Sequence, residues 1–115
     1  MKKILLSFSL LLIGFNLTAQ SWTSQATGFD NISRGLSEIH IVNPTTVWGL
    51  AYDGVSASNV IQEFTKTTDG GITWTPGTIN VGDPTLSINN IAPISATTAW
   101  VSALTPTIVN NGVIY

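Results

Sequence analysis

Lys66-Thr67-Thr68-Asp69-Gly70-Gly71-Ile72-Thr73-Trp74 is the stretch whose reading decides the fold. Its centre is a turn: an Asp followed by two Gly, flanked by β-forming residues. The Asp69 carboxylate can accept hydrogen bonds from the backbone N–H groups that follow it. Gly71 can take a positive φ that a side chain resists. Thr73 and Trp74 return the chain to an extended path, and the Trp74 ring is large enough to hold a hairpin against its neighbour. The expected unit is a β-hairpin with a side-chain-braced turn.

Outward from this turn the chain keeps the same character. It shows no apolar residues spaced three and four apart. It alternates short β-branched and aromatic stretches with Gly, Pro, Asn and Asp. Strands are expected over 39–42, 46–52, 60–66, 72–75, 88–91, 99–104 and 112–115. The breaks between them are Asn43-Pro44, Asp53-Gly54, Asp69-Gly70-Gly71, Pro76-Gly77, Gly82-Asp83-Pro84 and Asn110-Asn111-Gly112. Each is a set of residues with a turn-forming mechanism.

A shift of 52 residues lays the chain on itself. Trp22-Thr23 falls on Trp74-Thr75, Ile39 on Ile91, Thr45-Thr46 on Thr97-Thr98, Trp48 on Trp100, and Ala51 on Ala103. Tryptophan is rare, so the two matched Trp registers weigh more than the threonines. A period near 50 residues suits one four-stranded blade of a β-propeller. The in-register Trp side chains are expected to pack in a core rather than to stack on a ligand.

Thr67, Asp69, Gly71, Thr73 and Trp74 fill every required position of the pattern Ser/Thr-x-Asp-x-Gly-x-Thr-Trp. In this the chain resembles the Asp-box (BNR-type) propeller families. These include sialidases, xyloglucan-active glycoside hydrolases, sortilin-type ectodomains and photosystem II stability factor-like proteins. The phrase from Lys66 to Trp74 is most similar to the last of these. The resemblance implies an all-β fold, a partial propeller of about one and a half four-stranded blades spanning 21–115. It also implies that the box joins the third and fourth strands of a blade, away from the central face. Asp69 is then structural. Trp22 would belong to an outermost fourth strand, and the remaining blades would be supplied by a longer chain of which this is an N-terminal fragment.

Residues 1–20 read as a secretory signal peptide. Lys2 and Lys3 precede an apolar stretch of about twelve residues, and Leu17-Thr18-Ala19 offers a small residue for cleavage. The stretch is short for a bilayer span, which needs about 20 residues. The expected address is therefore outside the cytoplasm: extracellular, at the cell surface, or in the periplasm. No membrane attachment is expected once the leader is removed.

Composition narrows the chemistry. After residue 20 the only basic residues, His aside, are Arg34 and Lys66, which disfavours binding to a phosphate backbone. The chain has no cysteine, so thiol nucleophiles, disulfides and Cys-ligated zinc are excluded. His40, the one histidine, alternates with Ile39 and Ile41 and is expected at a rim or facing a partner. No other His or Cys stands beside it to complete a metal set. No cofactor is expected.

Glycoside hydrolysis needs two carboxyl groups flanking the scissile bond. Asp30, Asp53 and Asp83 fall in expected loops, but no spacing pairs them. The resemblance to sialidases would call for an arginine cluster, and Arg34 stands alone. The leading expectation is a secreted or cell-surface module, a structural or recognition scaffold without catalysis in this segment. Its partner would be a polysaccharide or another surface protein. The alternative is the N-terminal part of a propeller glycoside hydrolase whose catalytic residues lie in later blades.

Overall fold

The computed structural model describes residues 21–105 and 113–114. The expected signal peptide, and Gly112 and Tyr115 of the last expected strand, lie outside the described residues. The fold is all-β, with no helix among the described residues.

Among the described residues, seven strands form two antiparallel sheets. Sheet 1 contains β1 (Arg34–Ile41), β2 (Val47–Asp53), β3 (Glu63–Thr67) and β4 (Thr75–Thr78), side by side in chain order. Sheet 2 contains β5 (Ser87–Pro93), β6 (Ala99–Leu104) and the two-residue β7 (Val113–Ile114), also in chain order. Within each sheet the described strands pair with their sequence neighbours, so each sheet is a meander.

The 52-residue shift is carried into the backbone. The β1–β2 ladder slips between Leu36 and Glu38, and the β5–β6 ladder slips between Ile88 and Asn90, the same positions one repeat later. His40 opposes Trp48 and Ala92 opposes Trp100. The connecting turns match as well. Asn43 Oδ1 accepts hydrogen bonds from the N–H groups of Thr45 at 3.0 Å and Thr46 at 2.8 Å. Ser95 Oγ accepts from those of Thr97 at 3.1 Å and Thr98 at 3.0 Å. A short oxygen-bearing side chain opens both turns and satisfies N–H groups that the ladder leaves over.

The core lies between the sheets. Sheet 1 contributes Trp48 and Leu50 with Phe64 beside them. Sheet 2 contributes Ile91, Val101 and Ala103, and Val81 and Leu86 close it from the connecting segment. The Trp48 and Phe64 rings stack with centroids 4.8 Å apart. Lys66 Nζ sits 4.8 Å from the Trp48 ring centre and donates to the Ala96 carbonyl at 2.7 Å. Trp48 Nε1 donates to the Ser95 carbonyl at 3.1 Å. One Trp therefore supplies apolar area, a cation–π face and a polar tie to the opposite sheet.

Several expectations are corrected. β1 begins five residues earlier than expected, because its bulge interrupts the alternation that marks a strand. β3 starts at Glu63, leaving Val60 and Ile61 in the preceding loop. β4 runs from Thr75 to Thr78 rather than over 72–75. Ile72 is exposed in the turn, and the chain rejoins the ladder only where Thr75 opposes Lys66. Pro76 is accepted in β4 because this is an edge strand.

Residues 21–29 form no strand, against the expectation for Trp22. They cross the β3–β4 hairpin instead: Thr65 Oγ1 donates to the Thr27 carbonyl at 2.7 Å, and Trp74 Nε1 to Gln25 Oε1 at 3.0 Å. The expected common burial of the four Trp is also overturned. Trp48 is 5 % exposed, Trp100 is 56 % exposed and Trp22 is 98 % exposed. Trp74 is half-buried.

Candidate functional site

The turn between β3 and β4 is built around one carboxylate. Thr67 Oγ1 donates to Asp69 Oδ1 at 2.7 Å. The Thr73 N–H donates to Asp69 Oδ1 at 2.9 Å and to Oδ2 at 3.1 Å, and Thr73 Oγ1 donates to Oδ2 at 2.5 Å. Thr67 Oγ1 also accepts from the Gly71 N–H at 2.9 Å. Gly71 is buried with φ +92°, and a Cβ there would stand 2.7 Å from Gln25 Oε1. Glycine is required at that point by conformation, and a side chain there would also push the Gln25 amide away from Trp74. The Gly70 N–H donates to the Thr45 carbonyl at 2.9 Å, which ties this turn to the one between β1 and β2.

The donors around Asp69 fix its chemistry. The Thr73 hydroxyl, then the Thr73 N–H and the Thr67 hydroxyl, hold its carboxyl at a pKa of about 2. Hydrogen bonds to the charged form favour that form. A general acid works best with a pKa near the operating pH, and Asp69 is far below any neutral value. The structure thus brings Thr67, Asp69, Gly71 and Thr73 into one hydrogen-bonded turn. Trp74 leaves it through the bond to Gln25, a partner that no local spacing announces.

A second candidate is an open cleft of about 350 Å³ at one end of the gap between the sheets. Its polar lining includes Glu38, Tyr52, Asp53, Asn59 and Asn89, and its apolar lining includes Ile61 and Ile88. Both carboxylates are already engaged. Asp53 accepts from Asn59 Nδ2 at 2.7 Å and from the Val55 N–H at 2.8 Å, and these bonds hold its pKa below the ordinary carboxylate value. Glu38 accepts from Asn90 Nδ2 at 3.4 Å and from the Ile91 N–H at 3.3 Å.

The other sequence candidates are dispersed. Asp30 lines a separate depression with Glu63 and Pro76. Asp83 Oδ1 accepts from the Thr85 N–H at 2.8 Å and hydroxyl at 2.6 Å, as a turn acceptor. Arg34 is bound by Glu63 at 2.8 Å and 3.1 Å and reaches Asp53 at 3.5 Å, which laces β1, β2 and β3 together. His40 is half-buried beside Trp48, with Nε2 3.2 Å from Glu38 Oε2. Among the described residues, no group of three or more His, Cys, Asp or Glu is placed to hold a metal ion.

Glu38 and Asn90 were not singled out by sequence, although they join the sheets. The available signal was the repeat itself, because Asn90 stands one period after Glu38. Compared with protein-family models, curated proteins and solved structures, the chain finds no match.

Proposed function

We propose that the two sheets are successive blades of a β-propeller and that the chain is a structural or recognition scaffold, exported to the cell surface or beyond. The observation that carries this reading is the face-to-face stacking of two sheets that repeat each other at 52 residues, with matched bulges, turns and Trp positions. Stacked meanders of this kind bury a shared core between neighbours, which is how radially repeated folds are stabilised. The chemistry of the turn supports the same reading. Asp69 spends its hydrogen-bonding capacity on Thr67 and Thr73 and stays ionised, so it braces a hairpin and does not deliver protons. The partner offered the scaffold's open surface is a polysaccharide or another surface protein.

The test is a paired assay on xyloglucan and on a sialoside. Retention of either glycan without release of reducing sugar or sialic acid agrees with a recognition scaffold. Turnover of either substrate overturns it in favour of a propeller glycoside hydrolase.

A further inference from the structure

Residues 21–29 enter no ladder, yet they are seated on the β3–β4 hairpin by a small set of contacts. Among the described residues, no backbone-to-backbone hydrogen bond holds residues 21–30 to the rest of the molecule. Two side-chain bonds do so instead. Thr65 Oγ1 donates to the Thr27 carbonyl at 2.7 Å, and Trp74 Nε1 donates to Gln25 Oε1 at 3.0 Å. Residues 21–26 are all exposed, so the segment buries little of its own surface.

The far end of this segment is sharply marked. Gly28 has a φ of +79°, and a Cβ on it would stand 2.5 Å from the Trp74 carbonyl oxygen and 3.0 Å from Pro76 Cδ. Only glycine fits so close a passage in that conformation. Beyond it the chain is fixed again. Asn31 Oδ1 accepts from the Ser33 N–H at 2.9 Å, and the Asn31 carbonyl accepts from the Arg34 N–H at 3.1 Å, at the threshold of β1. A pivot is therefore available between Gly28 and Asn31.

We propose that residues 21–28 are a strap that lifts from the Asp69 turn as one piece while both sheets stay folded. Lifting breaks the two side-chain bonds and no ladder pair. The core is untouched, because no strap residue belongs to it. Segments with so few buried contacts open far more readily than the whole fold unfolds. The turn survives as well, since Thr67, Asp69 and Thr73 bond to one another and not to the strap. Lifting uncovers the Thr65 hydroxyl, Gly71 and the Trp74 indole N–H, beside Ile72, which is already exposed. The strap is thus a lid over a preformed surface. Strap, pivot and seat all lie within residues 21–78, so the proposal depends neither on sheet 2 nor on the scaffold reading.

The experiment is solvent exchange of the indole protons, read by NMR at Trp74 and Trp48 in rising, sub-denaturing urea. Trp48 Nε1 is bonded to Ser95 across the core, so its exchange requires the sheets to part and should quicken steeply with urea. Trp74 is expected to exchange more than about tenfold faster than Trp48, yet more slowly than a free indole, and with little response to urea. Gly28→Ala, which cannot take the seat, is expected to bring Trp74 to the free-indole rate and leave Trp48 unchanged. Equal, urea-dependent exchange at the two tryptophans would mean that the strap leaves only when the molecule unfolds. A free-indole rate at Trp74 in the unaltered chain would mean that the strap is not seated. Either result overturns the proposal, as does a Gly28→Ala chain that keeps Trp74 protected or speeds both sites by the same factor.

Discussion

Trp48 and Trp100 occupy equivalent positions in two equivalent sheets, yet one is 5 % and the other 56 % exposed. Their strand positions, ladder registers and preceding turns agree. Much of the difference lies outside their own sheets. Trp48 has sheet 2 in front of it, with Ser95 to accept from its indole, and Lys66 of the adjacent β3 over its ring. Trp100 faces outward. The same contrast separates Ile91 from Ile39 on the opposite side of the repeat. A residue's local structure is set within a repeat, and its energetic weight is set by the neighbouring repeat.

Truncating the two tryptophans should break the comparison most sharply. Trp48→Ala removes a buried aromatic and is expected to cost about 3–5 kcal/mol by urea denaturation. Trp100→Ala should stay within about 0.5 kcal/mol for the isolated chain at low concentration, as surface changes usually do. Equal losses at the two sites would show that Trp100 is packed in solution. The isoleucine pair should give a smaller contrast of the same sign. Ile91→Ala is expected to cost about 2–4 kcal/mol, and Ile39→Ala less than about 1 kcal/mol, the span of strand propensity.

A third contrast sets sheet 1's braced turn against acid. The folded pKa of Asp69 lies at about 2, below its ordinary value of 3.8. A carboxyl with a depressed folded pKa stabilises the fold above its unfolded pKa, and that contribution is lost as pH falls through the folded value. Thermal melts should therefore show stability declining from about pH 4 to about pH 2, and Asp69→Asn should make that decline shallower. The slope that remains belongs in part to Asp53 and Asp83, whose pKa values are also lowered by hydrogen bonds. An unchanged slope in Asp69→Asn would mean that the turn does not hold an ionised carboxylate.

The smallest expected effect concerns the two equivalent turns. Asn43→Ala and Ser95→Ala each remove acceptors for two backbone N–H groups. Each should cost about 0.5–1.5 kcal/mol, since exposed N–H groups turn to water instead. Similar losses would sharpen the equivalence of the repeats. A large loss at one turn alone would count against it.

What could be read from the residues was what short-range chemistry decides. The turn from Thr67 to Thr73 was legible because its donors and its acceptor lie within six residues of each other. The repeat was legible because Trp is scarce. The start of β4 was misplaced for a reason equally local: Asp69 holds Thr73 in the turn, so Ile72 and Trp74 look like strand residues without entering the ladder. The early start of β1 was hidden by its bulge. Partners distant in sequence were not legible at all. Gln25 under Trp74, Glu38 against Asn90, and Arg34 between Glu63 and Asp53 depend on which strand ends up beside which. The side taken by His40 was not legible either, because alternation with Ile39 and Ile41 separates the two faces without saying which one meets Trp48.

The chain-order pairing of the strands bears on the route by which the molecule assembles. Every ladder joins sequence neighbours, so each sheet closes only short loops and can form early and alone. The bond from Trp48 to Ser95, spanning 47 residues, and that from Trp74 to Gln25, spanning 49, belong to later docking events. Trp48 gains its shielding only when the sheets meet, so its fluorescence should follow a slower step than the growth of the β signal in circular dichroism. The meeting of the two sheets is then the step that completes the core.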